Sequence, residues 1–321
     1  MKVLFVNDFS IKDLQGGATI TNKLMVNAGK ARGHVISEMT PKHVVIQGSC
    51  IDDIRLLKDE DKDSLLNELT KQIKEYDLLI LNNISMFPIE VLEIIIAQTK
   101  YVKHEHDYCF CNHRNGKCET CKIKCRPAPF FVRLFSNSLL NIFFSPLQLK
   151  IFSKFFGETM RDAIIIPAPM ERGKFFKKPE IQKEIHLFAG ALMTHKGIHQ
   201  VLDYADLKKK EGQRFHFAGR AVDQAVINRI KKDHTYLGEI PYDKMPELYQ
   251  NYKYFIINPQ MPETFCLTVL EALNSGCELI KFERSHDIGM ESYDKGVKEL
   301  TEMCYEAPTV FWERVESAMQ K

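Results

Sequence analysis

Two stretches of the chain hold residue types that can do chemistry at the spacing they have. "PETFCLTVLEALNSG", from Pro262 to Gly276, carries Glu263 and Glu271 with seven residues between them. Glu263 precedes a helical pattern, and Glu271 falls about two turns into it. The first backbone N–H groups of a helix have no acceptor within it, so those of Phe265, Cys266 and Leu267 are expected as donors to an anion such as a phosphate, helped by the helix dipole. A carboxylate on either side can accept from paired hydroxyls of the kind a sugar presents. Spacing alone leaves an amphipathic helix with two solvated glutamates equally open.

The second stretch is "HEHDYCFCNHRNGKCETCKIKC", His104 to Cys125, with five of the nine cysteines and three of the eleven histidines. Cys109-x-Cys111, six residues, then Cys118-x2-Cys121-x3-Cys125 is close enough for four thiolates to hold one structural zinc tetrahedrally, with His113 as a substitute ligand. Buried thiols along one helical face are an alternative, because Cys118, Cys121 and Cys125 share such a face. Disulfides are another, if the chain meets an oxidising compartment. A DNA-binding ribbon would want a free module with a basic surface, and this stretch is set between a strand and an apolar segment.

The elements that must position these residues are legible in outline. A chain of 321 residues suits two domains of about 150 each. Its 45% hydrophobic and 27% charged content is that of a soluble globular protein. A net charge of +2 gives no field that would draw nucleic acid. "MKVLFVNDFS" reads as a strand rather than a signal peptide, and no run of about 18 apolar residues appears, so the expected home is cytoplasmic.

From the start, a strand (Val3 to Val6), a loop with Gly16-Gly17 and a helix closed by Gly33 form the first unit of a doubly wound sheet. "VVIQG" reads as a strand, "SLLNELTKQIKEY" as an amphipathic helix, and "DLLILNN" as a buried strand with a continuous apolar run. A helix over 89–98 leads to a short strand over 101–103. "FFVRLFSNSLLNIFFSPLQLKIFSKFFG" reads as core helices; a peripheral membrane contact is the alternative, with Arg133, Lys150 and Lys154 among exposed phenylalanines. After "AIIIPAP", a stretch from Lys174 to Lys183 reads as a linker. The second half repeats the alternation through "IHLFAG", "FHFAG", "YFIINPQ" and "CELIKF", with Gly276 stopping the helix before the last of these. "PTVFWERVESAMQK" reads as a terminal helix. Two β/α halves imply an α/β protein of two Rossmann-like domains facing a cleft, with ligands at the carboxyl ends of the strands.

The chain resembles the retaining GT-B glycosyltransferases, especially glycosyltransferase family 4. "PETFCLTVLEALNSGCELI" resembles that family's Glu-x7-Glu motif. "GGATITNKLMVNAGKARGH" is similar to its Gly-Gly loop, first helix and "RGH" turn, and "HDYCFC" to its "HD" after the fourth strand. "IIIPAPMERGKF" resembles its inter-domain segment, and "FAGALMTHKGIHQVLDYA" the stretch that carries its lysine. The order of these motifs covers nearly the whole chain. The resemblance implies a GT-B fold, with 1–172 as the acceptor-side domain, which holds the Cys-rich loop 104–126 and takes the helix 307–321 against it. It implies 173–306 as the nucleotide-sugar donor domain.

By the same resemblance, Glu263 contacts donor-sugar hydroxyls and Glu271 holds the ribose. Phe265, Cys266 and Leu267 give backbone donors to sugar and diphosphate, and Lys196 neutralises the leaving diphosphate. Gly16 and Gly17 let the first loop approach the donor, and His106 stands near the reacting carbon. The implied reaction moves a sugar, from a UDP-sugar ahead of a GDP-sugar, to a glycan, lipid-linked or small-molecule acceptor, with retention and without a catalytic divalent metal. The sequence departs from the pattern at Ala191, where an arginine is usual (Arg220 being a possible substitute), at Cys266, where a glycine is usual, and at Ala168-Pro169. These departures motivate an alternative: a nucleotide-sugar-binding protein on the same fold with weakened catalysis.

Overall fold

Val3, Leu4, Phe5 and Val6 are all buried, and their side chains divide strictly between two faces. Val3 and Phe5 join one apolar cluster while Leu4 and Val6 join another. Leu78 and Ile80 divide from Leu79 and Leu81 in the same way. A strand covered on both faces needs apolar residues at every position, which is why these runs do not alternate. A computed structural model describes residues 1–12, 16–41, 44–46, 49–51, 59–111, 128–178 and 183–321. Its contacts divide the chain into a first unit, Met1–Pro169 with Glu306–Lys321, and a second, Met170–Tyr305.

The first unit runs β1 (Lys2–Val6), α1 (Gly17–Ala31), β2 (Val35–Met39), β3 (Val44–Ile46), β4 (Ser49–Ile51), α2 (Asp59–Ile73), β5 (Leu78–Leu81), α3 (Ile89–Gln98), β6 (Tyr101–Glu105), α4 (Ala128–Ser136), β7 (Asn141–Phe143), α5 (Pro146–Phe156) and β8 (Ala163–Ile165). The main sheet is parallel with order β2-β1-β5-β6-β7-β8, and β3 and β4 pair antiparallel apart from it. The strand expected over 101–103 continues to Glu105, so His104 and Glu105 are part of the sheet.

The phenylalanine-rich segment is core. Phe130, Phe131, Phe135, Phe143, Phe152 and Phe156 are all buried and belong to one cluster with α2 and α3. No helix among the described residues is long and apolar enough to cross a membrane.

The second unit contains β9 (Lys183–Ala189), α6 (Ile198–Lys209), β10 (Phe215–Ala218), α7 (Gln224–Asp233), β11 (Thr235–Gly238), α8 (Met245–Gln250), β12 (Tyr252–Ile257), α9 (Leu267–Asn274), β13 (Glu278–Lys281) and the first part of α10 (Val297–Gln320). Its parallel sheet has order β11-β10-β9-β12-β13. Counted within the unit, that is third, second, first, fourth, fifth, the doubly wound order whose reversal lies between β9 and β12. The stretch expected as a linker is partly packed, with Phe175 buried against Tyr242 and Tyr249 at 5.9 and 6.1 Å between rings.

The terminal helix begins at Val297, earlier than its proline suggested, and passes through Pro308. A proline inside a helix has no N–H for the carbonyl four residues back, here that of Cys304. That carbonyl accepts instead from the Met170 N–H at 3.2 Å, so the break in the ladder is satisfied. Beyond Pro308 the helix buries Phe311, Trp312 and Val315 with Val3, Phe5, Met25 and Val26. Trp312 Nε1 donates to the Met25 carbonyl at 2.8 Å. The indole fits because position 29 of α1 has no side chain: a Cβ there would lie 2.3 Å from a Trp312 ring carbon and 2.7 Å from Ile36 Cδ1. Gly29→Ala is therefore expected to overpack this seam and cost about 1–3 kcal/mol, read as a lower midpoint of urea unfolding; an unchanged midpoint would contradict the fit.

Candidate active site

The candidate residues of the second unit gather at the carboxyl ends of β9 and β12, on either side of the reversal in strand order. Such a point is where an open α/β sheet leaves a crevice, because the connections from the two strands leave to opposite faces. The turn Thr194–Lys196 follows β9, and the segment from Asn258 to Glu263 follows β12. The two are stitched together: the Gln260 N–H donates to the His195 carbonyl at 2.9 Å. Gly197, at φ +76°, lies so close that a Cβ there would stand 2.0 Å from the Asn258 carbonyl oxygen.

This approach brings Lys196 Nζ to 2.6 Å from Glu263 Oε1. The two side chains to which the sequence assigned diphosphate and sugar are thus paired with one another. The pair is partly open to solvent, so it is exchangeable rather than locked.

Glu271 has a different setting. It is buried on α9 and accepts from the Tyr249 hydroxyl at 3.3 Å, with the Tyr242 hydroxyl as a second donor. Burial pushes its carboxyl up to about 7, against the opposing pull of the two tyrosine hydroxyls and of Lys174. Lys174 in turn lies 3.8 Å from the centre of the Tyr242 ring and pairs with Glu171 at 2.7 Å.

Two of the three backbone donors expected at the start of α9 have acceptors in this structure. The Cys266 N–H donates to the Ile288 carbonyl at 3.0 Å, and the Leu267 N–H to the Phe265 carbonyl at 3.1 Å. The physical reason is the segment after β13, which lies along this loop and also takes the Glu263 N–H through the Asp287 carbonyl at 2.9 Å. Gly289, at φ +75°, permits that path, since a Cβ there would meet the Thr264 carbonyl oxygen at 2.4 Å. The Phe265 ring is buried, 6.1 Å from that of Tyr293. Arg220, the candidate substitute for the arginine missing at Ala191, follows β10 with an exposed side chain 3.9 Å from Glu239.

In the first unit the candidate residues follow β1 and β6. His106 is buried, its Nε2 3.1 Å from His104 Nδ1, and both rings pack edge-on to Phe144 at 4.8 and 5.0 Å. Burial pushes both imidazoles well down, His104 to about 3, with the Lys103 ammonium adding to the effect. Lys103 and Glu105 form a fully buried ion pair at 3.0 Å, and Lys103 Nζ also donates to the Asn82 carbonyl at 2.7 Å. Sequence reasoning did not single out this pair or the asparagines beside it. The signal was there in "YVKHEHD", where Lys, His and Glu occupy a strand with no room for solvated side chains.

The Gly16 N–H donates to Thr19 Oγ1 at 2.9 Å. A Cβ at Gly16 or Gly17 would meet nothing within 4 Å, so no contact among the described residues requires glycine at either position. Of the five candidate zinc ligands, Cys118, Cys121 and Cys125 lie outside the described residues. Cys109 and Cys111 are buried with free thiols. The Cys109 thiol donates to Glu105 Oε2 at 2.9 Å, and burial pushes it well up. Among the described residues no three metal-ligating side chains come together.

Residues 171–284 match the family model described as Glycosyl transferases group 1. No curated protein sequence matches the chain. Solved structures similar to it include sucrose-phosphate synthase from Thermosynechococcus elongatus, at 12% identity and TM-score 0.67 over 99% of this chain and 95% of that one. HepE from Anabaena, in complex with UDP and glucose, is similar at 15% identity and TM-score 0.63 over 99% and 92%. TarM from S. aureus, in complex with fondaparinux, alpha-GlcNAc-glycerol and UDP, is similar at 14% identity and TM-score 0.53 over 76% of this chain; the chain spans 52% of TarM. The fold is GT-B, with two Rossmann-like domains.

A testable consequence follows from Glu271. Its carboxyl is raised above the ordinary 4.5 of the unfolded chain, so the folded state prefers it protonated. The stability that this preference contributes is full below about 4.5 and is lost as pH rises through about 7. Glu271→Gln keeps the shape without the charge. Its stability relative to wild type is expected to grow from pH 4.5 to 7 and level off above, measured by thermal unfolding without nucleotide; a difference independent of pH would refute the burial.

Proposed function

We propose that this chain is a glycosyltransferase that moves a sugar from a nucleoside-diphosphate sugar to an acceptor hydroxyl, with the donor held by the second unit. The single observation that carries the reading is the Lys196–Glu263 pair at 2.6 Å at the reversal point of the 171–284 domain. A diphosphate carries the charge that Lys196 seeks, and a sugar ring carries the hydroxyl donors that Glu263 seeks. A nucleotide sugar can take both partners of the ion pair at once, exchanging one neutralised contact for two.

The chemistry follows from that exchange. As the bond from the sugar to the diphosphate breaks, negative charge grows on the phosphate oxygens, and Lys196 is the cation set to meet it. The start of α9 adds its dipole. Glu271, held by Tyr242 and Tyr249, is suited to a ribose, whose hydroxyls donate to a carboxylate. By the motif resemblance Phe265, Cys266 and Leu267 would give backbone donors to sugar and diphosphate, the last two on leaving the acceptors they have here. HepE is complexed with UDP and glucose, which supports a UDP-sugar as the donor. Retention of configuration, His106 near the reacting carbon, Gly16 and Gly17 at the donor, and a glycan, lipid-linked or small acceptor complete the reading, all from the motif resemblance.

A binding protein with weakened catalysis is the second reading, favoured by Ala191 and by the exposed position of Arg220 beside Glu239. A panel of nucleotide sugars separates the two: transfer or slow hydrolysis of one of them is the expected result, and thermal shifts with no turnover would support the second reading. Glu263→Ala and Lys196→Ala are each expected to lower kcat/KM by about 10²–10³-fold, and transfer unchanged in either variant would overturn the assignment.

The structural zinc is proposed on Cys111, Cys118, Cys121 and Cys125, the four that leave Cys109 on Glu105. Metal analysis of protein purified without chelator is expected to give about one zinc per chain. That content should survive Cys109→Ser and fall in Cys121→Ser; protein without zinc would end the proposal.

A further inference from the structure

The first unit contains a line of buried polar side chains whose hydrogen-bond directions are dictated from one end. At that end Glu38, on β2, accepts from the Ile11 N–H at 2.9 Å, the Ser10 hydroxyl at 2.8 Å and Asn7 Nδ2 at 2.8 Å. A carboxylate only accepts, so the Asn7 amide must turn its NH₂ toward it and its oxygen away. Asn7 Oδ1 then accepts from Asn22 Nδ2 at 3.1 Å and Asn82 Nδ2 at 2.7 Å. Asn82 has therefore spent its NH₂ on Asn7, and it presents Oδ1 to His104 Nδ1 at 3.0 Å. An oxygen at that distance needs a proton on the imidazole nitrogen, so His104 carries its hydrogen on Nδ1. His106 Nε2 lies 3.1 Å from that same N–H. Two N–H groups facing at this distance would repel, so His106 Nε2 must be bare, and the ring's own proton sits on Nδ1.

We propose that Asn7 and Asn82, acting through His104, are positioning residues that fix His106 as the neutral Nδ1–H tautomer. All five side chains from Asn7 to His106, with Asn22 as a branch, are buried, so water cannot reset the directions. The Lys103 ammonium beside them opposes a second proton on either ring. His106 is then a hydrogen-bond donor through Nδ1 and has no role as a general base through Nε2. In terms of substrate, it would donate to an oxygen of the sugar or acceptor rather than take a hydroxyl proton. That consequence rests on the function proposed above, whereas the tautomer itself does not.

The test is a long-range proton–nitrogen correlation spectrum of the full chain labelled with ¹⁵N-histidine, at neutral pH, with His104 and His106 assigned from the signals lost in His104→Gln and His106→Gln. The expected result is a protonated Nδ1 and a bare Nε2 on both rings. A protonated Nε2 on His106, or a doubly protonated ring, in the wild-type spectrum overturns the proposal. Asn82→Leu removes the through-path and is expected to give His106 a mixture of tautomers, while Asn22→Ala removes only a branch and is expected to leave the spectrum of His106 unchanged. A folded Asn82→Leu protein whose His106 signals match wild type would overturn the positioning role. Should Asn82→Leu not fold, Asn7→Leu breaks the same path one link earlier and is judged by the same signals. Transfer by wild-type protein with an Nε2–H His106 defeats this inference alone, and an Nδ1–H His106 in a protein that transfers no sugar defeats the proposed function alone.

Discussion

A side-chain carbon at position 197 would stand 2.0 Å from the carbonyl oxygen of Asn258, and the pairing of Lys196 with Glu263 depends on there being none. The turn after β9 can close onto the segment after β12 only because Gly197 leaves that space. The closure is what lets the Gln260 N–H reach the His195 carbonyl. Lys196 and Glu263, 67 positions apart in the chain, come within an ion-pair distance as a result. The sheet order supplies the other half of the condition. β9 and β12 are hydrogen-bonded neighbours, and their connections leave in opposite directions. Backbone contact and strand order together decide where the two charges meet, and no property of lysine or glutamate does so alone.

The two glutamates of the motif occupy opposite electrostatic positions, although their residue type is the same. Glu263 faces a cation and keeps partial access to water. Glu271 is buried and faces neutral hydroxyls, which solvate a carboxylate less well than water does. Burial therefore wins at Glu271, and its ionisation moves into the neutral range. The difference arises from the helix. Position 271 lies inside α9, over Tyr249 of α8, while position 263 lies ahead of it in the loop.

Much of the fold was legible because parallel strands covered on both faces must be apolar throughout, as "VLFV" and "LLIL" are. For the candidate site the sequence offered residues and not their partners. Which N–H groups at the start of α9 remain available depends on Asp287 and Ile288, some twenty residues further on, and helix rules cannot see them. Pro308 suggested a helix start because proline is usually read that way, whereas here a carbonyl freed by it finds the Met170 N–H. The phenylalanines of α4 and α5 looked exposed beside basic residues, but Lys150 and Lys154 share α5 with buried Phe152 and Phe156, and an amphipathic helix carries both. Lys103 and Glu105 escaped notice because a buried ion pair breaks the pattern by which a central strand is recognised.

The polar groups at the strand ends of the two units obey different rules, and the difference bears on what each can do. In the second unit the Lys196–Glu263 pair is charged and partly wet, so a ligand of matching charge can replace either partner. In the first unit the line from Asn7 to His106 is of neutral amides and imidazoles in a dry interior, beside the buried Lys103–Glu105 pair. Replacing any one of them would leave its neighbour unsatisfied at a cost of about 1–3 kcal/mol. Such a line resists exchange and keeps its direction, from the carboxylate of Glu38 through Asn7, Asn82 and His104 to His106. A dissociable ion pair suits a reactant that must arrive and leave. An ordered amide line suits a ring held in one orientation, because its orientation energy is supplied by the buried groups behind it.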